Sequence, residues 1–197
     1  MYNTSLCQLL NIKYPIVQAP IGHASGTLLA SEVSNAGGLG MLSMTWRDFS
    51  TVSQLLGEMR DLTQNPFGVN FVLEWDPIEK LRLCLEQGVR IISFFWGDPI
   101  PYIDMIHSYG ALVMHTVGSS EEAKKYVENG VDIIVAQGYE AGGHVWGQIS
   151  SIVLLPSIVN AVFPVPVIIA GGIADGRAIK AALNLGASGV WMGTRFL

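Results

Sequence analysis

The residues best suited to catalysis or ligand binding follow one apolar stretch in the last third of the chain. Residues 131–135 read VDIIV, which predicts a strand buried on both faces, and the polar loop QGYEAGGH follows at 137–144. Glycines 142 and 143 allow the backbone to approach a ligand closely. His144 comes directly after them, where an imidazole can act as a general acid or base or bind an anion. We therefore expect a reactive group at the carboxyl end of this strand.

Two further apolar stretches end in glycine. Residues 165–170 (VPVIIA) lead into Gly171 and Gly172, and residues 187–192 (ASGVWM) lead into Gly193 and Thr194. Glycines at strand ends can direct backbone N–H groups at a phosphate, although they also make simple tight turns. In (β/α)8 barrels the phosphate site is usually built by the loops after the seventh and eighth strands. The sequence therefore predicts a phosphate site formed by these two loops.

Two amide side chains end predicted strands. Asn70 and Gln137 can each donate and accept hydrogen bonds at once, which suits a heterocycle that displays both kinds of group, such as a flavin or a pyrimidine. Solvation of the strand end is the alternative role. Two other histidines are weaker candidates: His23 could reach the same pocket, and His115, inside an apolar strand, fits a structural role better.

The sequence offers little for other kinds of chemistry. No pair of histidine and carboxylate has metal-ligand spacing, so we predict no metal site. Cys7 and Cys84 are far apart, and we expect free, buried thiols in a reducing cytoplasm. The net charge of −5 gives no electrostatic support for nucleic-acid binding. No apolar run reaches the length of a membrane span and no secretory signal is visible, so we expect a cytoplasmic protein without a membrane segment.

The elements that position these residues alternate regularly. Eight apolar strands alternate with seven helices, which predicts an α/β fold, and eight repeats favour a (β/α)8 TIM barrel over an open doubly wound sheet. We expect a capping box at Ser119 and Glu122, a cap at Asp175, and a helix beginning at Pro156. One domain over residues 1–197 is predicted. We expect this domain to be truncated after the eighth strand, without the final helix and a C-terminal segment.

Six motifs in order resemble one family. The chain from residue 14 to residue 197 resembles the nitronate monooxygenase (2-nitropropane dioxygenase-like) family of FMN-dependent (β/α)8 barrels. The motifs are YPIVQAP (14–20), AGGLG (36–40), PFGVN (66–70), AQGYEAGGH (136–144), AGGIADG (170–176) and MGTRF (192–196).

The resemblance implies where FMN would bind. Ala19 and Pro20 would lie against the flavin ring, and Asn70 and Gln137 would hydrogen-bond the ring or its ribityl chain. The ribityl phosphate would be bound by the glycines of the polar loops and by the segment after the eighth strand: Gly142, Gly143, Gly171, Gly172, Trp191, Met192, Gly193 and Thr194.

The resemblance also implies a reaction. Family members oxidise alkyl nitronates with O2 to carbonyl compounds and nitrite, with no nucleic acid or membrane partner. His144 matches the active-site histidine, which would steady the anionic substrate or remove a proton from a neutral nitroalkane. Ile21 and Trp191 depart from the family pattern, which often has methionine and glutamine there.

Two alternatives stay open. The flavin- and NAD(P)H-dependent enoyl-acyl-carrier-protein reductases share the EAGGH and AGGIADG segments, but they tend to have QGGM where this chain has QAPI (18–21) and an acidic residue in place of Gln137. The second alternative is a non-catalytic FMN-binding remnant, completed as a homo-oligomer or by a partner chain.

Overall fold

Eight parallel strands form one continuous sheet in the computed structural model, which describes residues 4–197. The strands are β1 Ile16–Gln18, β2 Gly40–Ser43, β3 Phe67–Val72, β4 Ile91–Phe95, β5 Leu112–Val117, β6 Ile133–Gln137, β7 Val167–Ala170 and β8 Gly189–Met192. The helices are α1 Ser5–Leu10, α2 Thr27–Ala36, α3 Phe49–Leu62, α4 Ile78–Glu86, α5 Ile100–Ser108, α6 Ser120–Glu128, α7 Ser151–Val162 and α8 Gly176–Asn184.

The sheet curls into a barrel. Each strand from β2 to β7 pairs in parallel with the next, and β8 pairs with β1. A single bridge between Val17 and Leu39 then joins β1 to β2. A helix follows each strand from β1 to β7, so the predicted (β/α)8 barrel is confirmed. After β8 the chain makes one 3-10 turn, Thr194–Phe196.

The helices differ from expectation at two places. Helix α1, which sequence periodicity did not predict, precedes β1 and buries Leu6 and Leu10 against the inside of the barrel. Helix α7 begins at Ser151, so the predicted start at Pro156 is wrong, and the proline lies inside the helix. The caps at Ser119 and Asp175 are confirmed by hydrogen bonds from the first turns of α6 and α8.

Strand residues alternate between two cores because successive side chains point to opposite faces of a sheet. Val135 and Ile168 belong to the small cluster inside the barrel, which the residues of α1 join. Ile134 and Ile169 belong to the larger cluster between the barrel and its helices. None of the helices formed by residues 4–197 is both long and apolar enough to cross a bilayer.

The seam between β1 and β2 is completed by one side chain. Gln18 is fully buried, and its Oε1 accepts a hydrogen bond from the backbone N–H of Met41 at 3.0 Å. Its Nε2 donates to the carbonyl of Met41 at 3.3 Å and to Oγ of Ser25 at 2.8 Å. The amide thus replaces ladder hydrogen bonds where β1 is too short to pair with β2 along its length.

We predict that Gln18→Leu lowers the free energy of unfolding by about 2–3 kcal/mol, because it leaves the Met41 N–H buried without an acceptor. Denaturant titration of both proteins measures the change. Gln8→Leu, an exposed substitution on α1, is the matched control and should stay within about 0.5 kcal/mol of the parent. Equal stability of the Gln18 variant and the control would contradict this account of the seam.

Candidate active site

A cavity of about 890 Å³ opens at the carboxyl ends of the strands, a volume within the range of small-molecule and cofactor sites. The loops after β1, β6, β7 and β8 all contribute to its wall, as the sequence predicts for a barrel. Twelve of the predicted site residues line it: Ala19, Pro20, Asn70, Gln137, Gly142, Gly143, His144, Gly171, Gly172, Trp191, Gly193 and Thr194.

Met192 is the predicted site residue that does not line the cavity. Its side chain is buried in the outer core between the barrel and the helices, because alternate residues of β8 point outward. Its carbonyl oxygen accepts a hydrogen bond from the N–H of Ala19 at 2.8 Å. Met192 therefore joins the end of β8 to the segment after β1.

The side chain of Gln137 holds the loop that carries His144. Its Nε2 donates to the carbonyl of His144 at 3.0 Å, and its Oε1 accepts from the N–H of Trp146 at 2.7 Å. Both ends of the amide are thus engaged with the loop, a role that the sequence did not indicate. The backbone of Gly147 packs so closely that a Cβ there would lie 1.9 Å from the carbonyl oxygen of Gln137.

Glu140 fastens the other side of this loop. Its carboxylate accepts hydrogen bonds from the backbone N–H of Ser151 at 3.0 Å and from the Ser151 hydroxyl. Burial raises the pKa of Glu140, but the hydrogen bonds from Ser151 outweigh it, so that its pKa lies below the usual value. The carboxylate satisfies an N–H group in the first turn of α7, which accounts for the helix beginning ahead of Pro156.

The glycine loops offer hydrogen-bond donors to the cavity. The backbone N–H groups of Gly142, Gly172 and Thr194 have no acceptor among residues 4–197. Gly171 and Gly172 both have positive φ, at 122° and 69°, which side chains rarely tolerate. A Cβ on Gly142 would lie 3.1 Å from Oγ1 of Thr194, so the loops after β6 and β8 meet here. Such a group of free N–H donors fits a phosphate.

Two polar side chains in the wall suit a heterocycle. Asn70 donates from Nδ2 to the carbonyl and hydroxyl of Ser93, both at 3.2 Å, while its Oδ1 has no partner within the described chain. The hydroxyl of Ser43 is buried and likewise has no hydrogen-bond partner there. Ser43 was missed from the sequence, although its place at the end of β2 was a usable signal. Free donors and acceptors beside apolar wall residues fit a flavin ring.

Three aromatic rings lie beside the exposed side chain of His144. The centroid of its imidazole lies 5.0 Å from that of Trp96, 6.0 Å from Trp46 and 6.2 Å from Phe95. No side chain among the described residues hydrogen-bonds the imidazole. Trp46 and Phe95 line the cavity, and sequence reasoning missed them because both belong to apolar or loop segments without a recognisable motif. The imidazole contacts these rings and leaves its nitrogen atoms available to a ligand.

The other candidate histidines lie elsewhere. His23 and His115 do not line the cavity. His115 points outward from β5 and packs against Tyr126, with the ring centroids 4.4 Å apart. Within residues 4–197 no cluster of histidine, cysteine, aspartate and glutamate could hold a metal ion.

Comparison with known families gives a match over nearly the whole chain. The family model described as "Nitronate monooxygenase" matches residues 3–79 and 75–197. A curated relative from Rhodococcus jostii (strain RHA1) is named (3aS,4S,5R,7aS)-5-hydroxy-7a-methyl-1-oxo-octahydro-1H-indene-4-carboxyl-CoA dehydrogenase. It is 37% identical over 195 residues, which are 98% of this chain and 55% of the relative. The chain thus spans about half the length of this curated relative.

Two solved structures share the fold. FabK from Thermotoga maritima superposes with a TM-score of 0.94 at 37% identity, over 98% of this chain and 62% of that one. A nitroalkane oxidase from Streptomyces ansochromogenes superposes with a TM-score of 0.88 at 31% identity, over 96% of this chain and 67% of that one. Both cover the barrel with its strand-end loops.

The buried imidazole of His115 makes stability depend on pH. Burial lowers its pKa from 6.5 to about 4, so between these values the unfolded chain binds a proton that the folded chain does not. Stability should therefore fall as the pH decreases from 6.5 towards 4, by up to about 3 kcal/mol.

Denaturant titrations across this pH range test the assignment. His115→Phe should flatten the dependence, while His23→Phe, a substitution of an exposed residue, should leave it unchanged. The same slope in the His115 variant as in the parent would show that this imidazole is not responsible.

Proposed function

The chain belongs to the nitronate monooxygenase family, and we propose that it uses FMN and O2 to oxidise alkyl nitronates to carbonyl compounds and nitrite. The observation that carries the proposal is the convergence, in one cavity, of three unpartnered backbone N–H groups with an imidazole whose nitrogens are free. The first feature suits the phosphate of a cofactor, and the second suits an anionic substrate.

The wall residues divide the cavity into two parts in this proposal. Gly142, Gly172 and Thr194 would bind the ribityl phosphate through their N–H groups. Ala19, Pro20 and the free Oδ1 of Asn70 would adjoin the flavin ring. Gln137 would act mainly by fixing the loop, because both ends of its amide are already engaged.

Bound FMN would supply the electron acceptor for the substrate and the electron donor for O2. His144 would bind the nitronate oxygens through an imidazole N–H, and it would take the proton from the α-carbon when a neutral nitroalkane is used. In the net reaction two nitronates and one O2 give two carbonyl compounds and two nitrite ions, so that each carbon–nitrogen bond that breaks is replaced by a carbonyl bond to one oxygen atom of O2.

A second function has specific support. The chain is 37% identical both to FabK from Thermotoga maritima and to the CoA-ester dehydrogenase of Rhodococcus jostii. These relatives favour a flavin oxidoreductase that acts on a thioester with NAD(P)H. Loss of visible flavin absorption on anaerobic addition of NADPH, and its return with an enoyl thioester, would support this function over the first.

For the nitronate reaction we predict that His144→Ala lowers the rate of nitrite release by about 100-fold or more. The loss should be larger with neutral 2-nitropropane than with preformed propyl-2-nitronate, because only the neutral substrate needs a base. Colorimetric nitrite assays with both substrates measure the two rates.

His107→Gln is the matched control. That histidine lies on α5, away from the cavity, and the amide can keep its contact with Asp132, now 2.9 Å from the imidazole. Nitrite release by the control should equal that of the parent. Unchanged release by His144→Ala would exclude His144 from the reaction.

A further inference from the structure

A group of aromatic side chains extends the cavity beyond the parts already assigned. We call Trp46, Trp75, Phe95 and Trp96 the aromatic shelf. Trp46 links the cavity to the outer edge of the shelf, with its ring centroid 6.0 Å from His144 on one side and 6.1 Å from Trp75 on the other. Ring contacts therefore run from the imidazole through Trp46 to Trp75, while Phe95 and Trp96 contact the imidazole directly.

The shelf presents large apolar area to solvent. Trp46 is 45% exposed and Trp75 is 51% exposed, in contact with each other at an angle of 70°. Contiguous exposed apolar surface beside a cavity marks a binding site more often than it marks ordinary surface. Indole rings also bind flat groups with little loss of conformational entropy, because only two torsions have to be fixed.

The backbone that carries Trp46 is firmly held. Nζ of Lys80 donates to the carbonyls of Thr45 at 2.5 Å, Arg47 at 3.2 Å and Met44 at 3.4 Å. In addition, Oγ1 of Thr45 accepts from the N–H of the strand β3 residue Val72 at 2.8 Å. The backbone at Trp46 is thus preorganised, so that a ligand has only the side-chain torsions of the ring to order.

Trp96 adds a second sign of a built surface. Its φ is 57°, in the left-handed region that bulky residues rarely adopt. This conformation places its ring 5.0 Å from Phe95 and 5.0 Å from His144, between the strand end and the imidazole. The local strain is thus associated with contact between the shelf and the reactive group.

We propose that the aromatic shelf binds a flat apolar group of the substrate, attached to the planar anionic group that His144 receives. The substrate class is then a bulky, ring-bearing molecule, which should bind more tightly than a short-chain nitroalkane. This inference rests on the proposed function for the identity of the reacting group, but the shelf itself is independent of the reaction.

A binding experiment tests the shelf without turnover. The probe is 2-naphthoate, whose carboxylate is a planar anion like a nitronate and whose ring system is flat and apolar. Isothermal titration calorimetry on the protein supplied with saturating FMN measures its dissociation constant, with acetate as a competitor that lacks the ring. We expect the parent to bind 2-naphthoate and an equal concentration of acetate to displace almost none of it.

Trp46→Ala should weaken 2-naphthoate binding by about tenfold, and Trp46→Phe should restore most of the affinity. Trp75→Ala should have a smaller effect, because Trp75 reaches the cavity only through Trp46. Phe49→Ala is the control: this ring is 53% exposed at the start of α3 and does not line the cavity. Circular dichroism checks that each variant is folded.

Three results would overturn the proposal that the aromatic shelf binds the substrate: no binding of 2-naphthoate by the parent, full displacement by an equal concentration of acetate, or an affinity of Trp46→Ala within about twofold of the parent.

The nitrite assay separates this inference from the proposed reaction. Absence of nitrite release together with Trp46-dependent binding would remove the nitronate reaction and leave the shelf. Nitrite release together with Trp46-independent binding would support the nitronate reaction and remove the shelf as a binding surface.

Discussion

The closure of the barrel at the β1–β2 seam is the constraint on which the site depends. Strand β1 has three residues, and its pairing with β2 is limited to one bridge, so the buried amide of Gln18 supplies the remaining contacts. A closed barrel brings the carboxyl ends of all eight strands to one rim. The loops after β1, β6, β7 and β8 can therefore line a single cavity, although the residues of the first loop lie far from the others in the sequence.

The loop after β6 shows how this fold combines support with reactivity. Gln137 holds the loop at His144 and Trp146, while Glu140 ties it to the start of α7. These two polar side chains fix the backbone, and the N–H group of Gly142 between Glu140 and His144 has no acceptor among residues 4–197 and is free for a ligand. The imidazole itself is exposed, makes no hydrogen bond with a described side chain and contacts aromatic rings. Rigid support and an available reactive group are thus supplied by different residues of one short loop.

Much of this architecture could be predicted from the sequence. The strands were recognisable because apolar runs end at glycine or polar residues, and twelve of the predicted site residues line the cavity because parallel strand ends share one rim. Met192 was the exception, since residue alternation along β8 turns its side chain outward. The start of α7 was misplaced because the cap comes from Glu140, eleven residues earlier, and no local pattern reveals it.

The contacts that sequence reasoning missed are the ones made across the fold. The amide of Gln137 looked free because its partners are backbone atoms of a loop whose path depends on tertiary packing. The aromatic rings around His144 come from the ends of β2 and β4, which are close to β6 only after the barrel forms. Periodicity and motifs describe neighbours along the chain, and they contain no information about such distant partners.

The central claim is that the free N–H groups of Gly142, Gly172 and Thr194 form a phosphate cradle for FMN. The most direct test is the visible absorption spectrum of the protein after incubation with FMN or with riboflavin, each followed by desalting. The account predicts that a flavin spectrum survives desalting with FMN but is lost with riboflavin, which has the same ring and no phosphate. Loss of both flavins, or equal retention of both, would contradict it.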